Sequence, residues 1–352
     1  MLMENKKKIV DLGRREGKTK PQKRKITRDT TIASIMWLPL LVLLGLIFLY
    51  RRYRYSMILE NLTDKYVFIT GCDSGFGKLL TQNLDKRGMR VLAACLTVKG
   101  AEDLKKETSS RVQTVILDVT STQSVRAALQ WASEIVGNKG LWGIVNNAGI
   151  SIPSCANEWM TKKDFFKIIN VNLLGVVDVT IHFLPLIRKA RGRVVNVASV
   201  AGRLTINSGG YSISKHGVES FSDSLRREMK PFGVKVCIIE PSFYNTQITS
   251  KELHKKCVKD CWDSASEEVR KSYGVQFYQQ SMEILDKISI ICNKDLSLVT
   301  NCMEHALTAV HPWTRYSTGW DVTLFYLPFS YLPTVVSDFV LCMGQPRPAD
   351  AI

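Results

Sequence analysis

Residues 65–77 read KYVFITGCDSGFG, a short β-rich run that leads into a glycine-rich turn. Residues 65–70 have the pattern of a strand and residues 77–87 that of a helix. Between a strand and a helix, such glycines allow a tight turn and close approach of the backbone to a pyrophosphate, and the helix N-terminus offers its N–H groups to the phosphates. The stretch therefore predicts a dinucleotide-binding turn whose residues are Gly71, Ser74, Gly75, Phe76 and Gly77.

Strand-like and helix-like patterns continue to alternate after this unit. Further strands are predicted at 90–95, 112–117, 143–146, 192–198 and 234–240, and helices at 101–108, 124–136, 162–188 and 211–229. Continuous apolar strands that alternate with helices indicate a parallel sheet covered by helices on both faces. We predict an α/β fold, a doubly wound Rossmann-type domain over residues 65–248. Residues 249–352 are predicted to be a substrate lid and C-terminal elaboration of the same domain.

Residues 32–50, IASIMWLPLLVLLGLIFLY, contain no charged side chain. Nineteen such residues have about the length that spans a bilayer as a helix. The rival interpretation, a cleaved signal peptide, requires a small-residue cleavage site, but Arg51-Arg52-Tyr53-Arg54 follows instead. We predict a transmembrane anchor at 32–50, preceded by a basic tail at 1–31.

The net charge of +16 is concentrated in that N-terminal part. Fourteen of the 48 Lys and Arg residues, against four of the 32 Asp and Glu residues, lie in residues 1–54. Since the rest of the chain has an ordinary charge balance, the basic cluster favours membrane-flanking charge over nucleic-acid binding. We expect no nucleic-acid partner; an adaptor role of the tail, binding anionic lipid or nucleic acid, depends on residues 6–28 alone.

The orientation of the anchor depends on the translation start. With Met1 as the start, the basic tail keeps the N-terminus cytosolic, and the positive-inside rule places the folded domain in the lumen. With Met36 as the start, the tail is absent, residues 51–54 hold the dominant charges, and the domain faces the cytosol. Both orientations stay open.

No metal site is predicted. Of the nine cysteines only Cys257 and Cys261 are close together in sequence, and no second pair or histidine cluster completes a ligand set.

Four polar residues, Asn172, Ser199, Tyr211 and Lys215, each end or follow an element of the alternating pattern. Tyr211 and Lys215 are four residues apart and share one face of their predicted helix. A phenol ordinarily ionises near pH ~10, and a neighbouring ammonium favours the phenolate. A lone YxxxK is most often a solvated helix face, but its context here indicates proton-transfer chemistry.

These motifs resemble those of the short-chain dehydrogenase/reductase family, over about residues 65–248. TGCDSGFG is similar to its TGxxxGxG turn, and NNAG at 146–149 to its NNAG motif. The resemblance implies a catalytic tetrad of Asn172, Ser199, Tyr211 and Lys215. It also implies cofactor contacts from Asp118 to the adenine, from Thr246 to the nicotinamide end, and from Asn147, Ala148, Gly149, Tyr211 and Lys215. One departure is Ser242, where the family usually has glycine after proline.

The longer matches resemble the branch of membrane-anchored retinol dehydrogenases and 3α/17β-hydroxysteroid dehydrogenases, almost to the C-terminus. They include VLAACLT and CMEHALTAVHPWTRYSTGWD. The resemblance implies hydride transfer between NAD(P) and an apolar alcohol or carbonyl, in the endoplasmic reticulum membrane; a homodimer stays open. The alternatives are an NADP-dependent retinal or ketosteroid reductase and a non-catalytic, membrane-tethered retinoid- or steroid-binding scaffold.

Aromatic residues after the sixth strand indicate an apolar substrate. We expect Phe243, Tyr244, Trp262, Phe277 and Tyr278 to lie in the lid, the alternative for each being an ordinary core position. Residues 323–333 are too short and too proline-rich to span a bilayer, and they either dip into the membrane interface or cover the core.

Residues 90–100, RVLAACLTVKG, bear on the choice of cofactor. Among relatives, an acid at the position of Cys95 is typical of NAD specificity and an arginine at the position of Leu96 of NADP specificity. This chain has neither, and Asp73 is nearby. We predict that NAD is preferred, with NADP possible.

Overall fold

The structure is a computed structural model that describes residues 23–206 and 209–352, apart from the side chains of residues 23–36 and 288–291. The chain divides into two compact units, Met1–Arg54 and Tyr55–Ile352. Most of the predicted basic tail, residues 1–22, lies outside the described residues.

Helix α1 (Lys23–Ser56) contains the whole predicted anchor. Its described apolar side chains are exposed at almost every position of residues 37–50, and Trp37 is 62% exposed. Consecutive apolar residues cover every face of a helix, so this helix has no polar face to present to water.

The second unit is built around a seven-stranded parallel sheet in the order β3-β2-β1-β4-β5-β6-β7. The strands are β1 (Tyr66–Thr70), β2 (Arg90–Cys95), β3 (Val112–Ile116), β4 (Gly143–Asn146), β5 (Arg193–Val197), β6 (Lys235–Pro241) and β7 (Arg315–Thr318). The central strands β4 and β5 are buried along their whole length, including the polar residues Asn146, Arg193 and Asn196. The predicted doubly wound α/β fold is confirmed.

The helices that connect and flank these strands are α2 (Gly75–Lys86), α3 (Val98–Lys106), α4 (Thr122–Val136), α5 (Lys162–Ile169), α6 (Gly175–Ala190), α7 (Gly210–Met229), α8 (Lys251–Ser264), α9 (Glu267–Ile291), α10 (Ser297–Thr308), α11 (Leu327–Phe329) and α12 (Thr334–Cys342). Helices α2, α3 and α10 pack on one face of the sheet, where they bury Leu80, Leu104 and Met303. Val125, Phe183 and Leu225 place α4, α6 and α7 on the other. Two apolar cores therefore sandwich the sheet.

The helix predicted at 162–188 runs from Lys162 to Ala190, with a π-helical turn at Asn170–Leu174 between α5 and α6. Among the helices whose side chains are described throughout, it is the one whose length and composition would allow it to cross a membrane. Val179, Phe183 and Ile187 are fully buried in the core, so this helix packs as part of the folded unit.

Strand β7 is absent from the strands predicted from sequence. Its four residues, RYST, have no apolar alternation, and only the pairing with β6 makes them a strand. The C-terminal part of the chain therefore completes the edge of the sheet.

Candidate active site

The glycine-rich turn lies between β1 and α2, and its shape depends on missing side chains. Gly71 has a φ of +71°, and a Cβ there would lie 2.8 Å from Cα of Ala148. A Cβ on Gly77 would lie 2.3 Å from the carbonyl oxygen of Gly71. Only glycine allows the first turn of α2 to approach the end of β1 this closely.

Side chains at the end of β1 and just after β4 hold this turn in place. Oγ1 of Thr70 accepts hydrogen bonds from the backbone N–H groups of Asn147 and Ala148, both at 3.0 Å. Nδ2 of Asn147 donates to the carbonyl oxygens of Thr70 (3.0 Å) and Gly71 (3.1 Å). The predicted cofactor residue Asn147 therefore shapes the turn with its side chain. Thr70, the first residue of the TGxxxGxG motif, was not predicted as a site residue but holds the turn with its hydroxyl.

The N-terminus of α2 begins at Gly75, after Ser74 in an extended conformation. This end of the helix offers backbone N–H groups and the positive end of its dipole to an anion. The ring of Phe76 packs against Tyr244 with centroids 5.6 Å apart, so its side chain belongs to the core rather than to the cleft. Any contribution of Phe76 to cofactor binding therefore comes from its backbone.

Asp73 organises the loop after β2. Its carboxylate accepts hydrogen bonds from the backbone N–H groups of Leu96 (2.8 Å) and Thr97 (2.9 Å) and from Oγ1 of Thr97 (2.7 Å). The Leu96 side chain is 61% exposed. A negative charge thus lies at the loop where the adenosine ribose binds in this type of fold.

The other predicted cofactor residues lie at the same carboxyl edge of the sheet. Asp118 is exposed just after β3 and accepts hydrogen bonds from the N–H (2.9 Å) and Oγ1 (2.7 Å) of Thr120. Thr246 follows β6, and its methyl group would lie 3.6 Å from a Cβ on Gly75. Gly149 lies beside Asn172, whose Oδ1 would be 3.3 Å from a Cβ there.

Tyr211 is in the first turn of α7 and is hydrogen-bonded to Ser199, which follows β5. Ser199 is itself buried and accepts a hydrogen bond from the N–H of Ala201 at 3.1 Å. Burial raises the pKa of Tyr211 above its usual value, and the hydrogen bond from Ser199 opposes that rise.

Lys215 lies on the same face of α7, with Nζ 5.7 Å from the centroid of the Tyr211 ring. Nζ donates a hydrogen bond to the carbonyl oxygen of Val197 at 2.8 Å. Burial lowers the pKa of Lys215 to about 8, and the negative charge of Glu219 opposes this change. In the protein alone, burial therefore favours a neutral lysine and a neutral tyrosine.

Asn172 lies in the π-helical turn and is completely buried. Its Oδ1 accepts from the N–H of Ile150 at 2.8 Å, and its Nδ2 donates to the Ile150 carbonyl at 2.8 Å and to Oγ of Ser214 at 3.1 Å. Ser214 in turn donates to the carbonyl oxygen of Tyr211 at 2.7 Å. Ser214, which the sequence did not single out, thus connects Asn172 to the helix that carries Tyr211.

The predicted lid aromatics separate into two groups. Trp262 of α8 and Phe277 and Tyr278 of α9 cluster with Trp159 and Tyr273. The other two lie elsewhere. Tyr244 is 3% exposed within the main core, and Phe243 packs against Tyr326 with centroids 6.3 Å apart. For Tyr244 the ordinary core alternative is the one observed.

Ser242, which stands where the family usually has glycine, has a specific partner. Its Oγ donates a hydrogen bond to the carboxylate of Asp321, at the start of the π-helical turn Val322–Tyr326. The substitution therefore ties the loop after β6 to the C-terminal segment.

The cleft fits a nicotinamide dinucleotide. A Cβ on Gly71 or Gly77 would collide with neighbouring backbone, and a tight glycine turn of this kind lets the backbone approach a pyrophosphate. The predicted contacts from the ends of β3, β4 and β6 and from α7 lie along one edge of the sheet. Among the described residues, no group of three or more His, Cys, Asp or Glu side chains is arranged to hold a metal ion.

Comparison with known proteins agrees with this geometry. A family model described as short chain dehydrogenase matches residues 65–256. The chain is 60% identical to retinol dehydrogenase 7 of Rattus norvegicus and 51% identical to 17-beta-hydroxysteroid dehydrogenase type 6 of Homo sapiens, in each case over 90% of this chain and 100% of the relative. A short-chain dehydrogenase/reductase from Burkholderia phymatum, solved in complex with NAD, has a similar fold. Its TM-score is 0.61 at 23% identity, over 82% of this chain and 97% of that chain.

Proposed function

The chain belongs to the short-chain dehydrogenase family and is an NAD(P)-dependent oxidoreductase, and we propose that it interconverts retinol and retinal or a 3α/17β-hydroxysteroid and its ketone. The observation that carries the proposal is the convergence of Ser199, Tyr211 and Lys215 at the carboxyl edge of the sheet, beside the glycine-rich turn. A non-catalytic scaffold would have no need for this arrangement. No observation favours it.

The proposed chemistry divides between cofactor and protein. When bound, the nicotinamide accepts a hydride from the carbinol carbon or donates one to the carbonyl carbon. Tyr211 removes the hydroxyl proton in oxidation and supplies it in reduction. Ser199 stabilises the reacting oxygen, and its hydrogen bond to Tyr211 keeps the two groups adjacent.

Lys215 and Asn172 have supporting roles in this proposal. The Lys215 ammonium favours the phenolate form of Tyr211 and holds the cofactor ribose. Asn172 positions a water in a proton relay to Lys215. Asn172 is held by three hydrogen bonds in a fully buried position, which fixes its orientation without help from substrate.

An apolar substrate is supported by the relatives' names and by the surroundings of the cleft. The aromatic cluster of α8 and α9 lies in the segment that follows Thr246. The C-terminal segment exposes large apolar residues, among them Trp320 (78%), Leu324 (72%), Val335 (80%) and Phe339 (70%). We propose that this surface contacts the membrane interface, where lipid-soluble alcohols concentrate.

We propose that residues 32–50 anchor the protein in the endoplasmic reticulum membrane. The exposed apolar faces of α1 and the three arginines that follow residue 50 support this role. The folded domain lies in the lumen if translation starts at Met1 and in the cytosol if it starts at Met36. Protease protection of the domain in sealed microsomes, tested with each start, distinguishes the two.

NAD is proposed as the preferred cofactor. The Asp73 carboxylate lies at the ribose loop, and a 2′-phosphate there would meet like charge, with no arginine at residue 96 to offset it. Comparable or better catalytic efficiency with NADP(H) would overturn this preference.

The function is tested with microsomes that contain the full chain. The absorbance of the reduced cofactor is followed against a panel of retinoids and hydroxysteroids, with NAD(H) and NADP(H) in parallel. We expect turnover of at least one class, with the higher kcat/KM for NAD(H). A panel without any turnover, from protein that still binds NADH, would favour the scaffold instead.

A further inference from the structure

Glu219 lies on α7 one turn beyond Lys215, and its carboxylate is buried at 6% exposure. Oε2 of Glu219 pairs with Arg315 of β7. Its other oxygen, Oε1, is buried and has no hydrogen-bond partner among the described residues. A buried carboxylate oxygen without a partner is costly, so its presence beside an active-site lysine calls for an explanation.

The neighbouring acids do not share this feature. Glu240 of β6 accepts hydrogen bonds from Arg203 (2.9 Å), Arg315 (2.8 Å) and Ser317 (2.8 Å), and it is fully satisfied although completely buried. Asp223, one turn beyond Glu219, also accepts from Arg315, at 2.8 Å. Arg315 therefore has two other carboxylate partners, and anchoring it does not by itself require Glu219.

The backbone after Ser199 closes this region against water. A Cβ on Gly202 would lie 2.8 Å from the carbonyl oxygen of Lys215 and 3.0 Å from Cγ of Glu219. The segment thus packs directly on both residues. Charges in such a poorly hydrated space interact more strongly than charges in water.

We propose that Glu219 is a positioning residue for catalysis, whose buried carboxylate keeps the Lys215 ammonium charged and so maintains the cation that Tyr211 requires. This inference rests on the proposed function. The charged groups that face Glu219 are Glu240 from β6, Arg315 from β7, Arg203 from the segment after β5, and Lys215 from its own helix.

The protonation of these groups gives the direction in which the pKa of Lys215 should change when Glu219 is replaced. Burial lowers the pKa of Lys215 to about 8, and Glu219 opposes the fall. Burial and the charge of Glu240 raise the pKa of Glu219 itself to about 7, partly offset by Arg315. Glu219 is therefore ionised where Lys215 titrates. Loss of the carboxylate lowers the pKa of Lys215 further, so the lysine becomes neutral at a lower pH.

The test uses the reduction direction, with NADH and the carbonyl substrate that the panel identifies. There Tyr211 is the proton donor and, because its pKa is raised, stays protonated while Lys215 titrates. The loss of kcat/KM with rising pH then reports the deprotonation of Lys215. We expect Glu219→Gln to move this loss to lower pH by about one unit. The weakening of NADH binding with rising pH, measured by fluorescence, should shift equally.

Two further variants separate this role from a structural one. Asp223→Asn removes a carboxylate from the same arginine without changing the charge next to Lys215, and it should leave both pH profiles in place. Glu219→Asp shortens the side chain by one methylene and so moves the carboxylate. Its pH profiles should lie between those of the wild type and of Glu219→Gln. If Glu219→Gln does not fold, Glu219→Asp carries the test.

The outcomes are distinct. If the folded Glu219 variants have the same pH profiles of kcat/KM and NADH binding as the wild-type chain, the inference is overturned and the proposed function stays intact. Equal shifts in Asp223→Asn also overturn it, because the network as a whole would then be responsible. Absence of reductase activity in the wild-type chain overturns the proposed function instead.

Discussion

At the scale of single residues, the protein surroundings of Tyr211 disfavour the ionised form of its phenol. Burial raises its pKa, and among the described residues the hydrogen bond with Ser199 opposes that rise. The positive charge that lowers this pKa has to come from a charged Lys215 together with the oxidised nicotinamide. In the proposed mechanism, Tyr211 therefore becomes an effective base only in the complex with cofactor.

The first prediction concerns the hydroxyl of Tyr211. Tyr211→Phe should reduce kcat by at least ~10²-fold, because no other group replaces the proton acceptor, while NADH affinity stays largely unchanged. Turnover and NADH fluorescence titration measure the two effects. Tyr66→Phe, a hydroxyl removed from the start of β1, should behave as wild type. Full activity of Tyr211→Phe would contradict the assignment.

The second prediction concerns cofactor choice. Leu96 is exposed at the ribose loop, so Leu96→Arg places a guanidinium where a 2′-phosphate would lie. We expect the ratio of kcat/KM for NADPH over NADH to rise about tenfold, equivalent to about 1.4 kcal/mol. Leu96→Gln adds polarity without charge and should change the ratio little. An unchanged ratio in Leu96→Arg would mean that the 2′-phosphate binds elsewhere.

At the scale of elements, the π-helical turn between α5 and α6 determines where Asn172 lies. It is one extra-wide turn inside a long apolar helix, and sequence periodicity predicts an uninterrupted helix there. The resemblance to the family identifies Asn172, but the hydrogen bonds to Ile150 and Ser214 that hold it depend on tertiary contacts.

The third prediction concerns the aromatic cluster of α8 and α9. Trp262 is 9% exposed and packs edge-on against Trp159 at 4.9 Å and face-on against Tyr278 at 5.1 Å. Trp262→Ala should lower the free energy of unfolding by about 3–5 kcal/mol, as measured by urea denaturation in detergent. Trp320→Ala, at a residue 78% exposed, should cost under about 0.5 kcal/mol. Equal losses in the two variants would contradict a packed core position for Trp262.

Sequence patterns predict well the strands that are mostly apolar and buried. β2 and β4 begin and end where predicted, since Arg90 is the one exposed residue in the two strands and their ends coincide with turns. β7 escapes prediction because four mixed residues have no pattern of their own. Sequence order places Tyr244 in the lid because it follows β6, although only the position of α2 determines that it lies in the core.

The candidate site shows the same difference between residues that sequence motifs identify and residues that only tertiary contacts bring together. The resemblance to the family identifies all four predicted catalytic residues. Ser199, Tyr211 and Lys215 lie close together in the structure, and Asn172 is linked to their helix through Ser214. Glu219, Glu240 and Arg315 are not adjacent in sequence, and although Arg315 lies in the matched stretch CMEHALTAVHPWTRYSTGWD, no sequence pattern pairs it with the two acids. Their buried network depends on tertiary contacts, including the pairing of β6 with β7.

At the scale of the whole molecule, an apolar helix precedes a short-chain dehydrogenase fold. The proposed membrane role rests on residues 32–50 and not on the basic tail, because the charges before the anchor orient a span without supplying its apolar length. The exposed apolar C-terminal surface would bring the cleft close to lipid-dissolved substrate.

The fourth prediction separates the anchor from the tail. Deletion of residues 6–28 should leave the protein in the membrane fraction after alkaline carbonate extraction, whereas deletion of residues 32–50 should increase the extracted fraction severalfold. Immunoblots of pellet and supernatant measure both. Release of the first variant would instead assign membrane binding to the basic tail.

The central claim is direct hydride transfer between a carbinol carbon and the nicotinamide. It is tested by supplying NAD⁺ with the active alcohol deuterated at its carbinol carbon and measuring the mass of the NADH produced. We predict one deuterium in each NADH formed by the wild-type chain, and at least ~10²-fold slower formation of labelled NADH by Tyr211→Phe. Product formed without deuterium in NADH, or label transferred equally well by Tyr211→Phe, would contradict the claim.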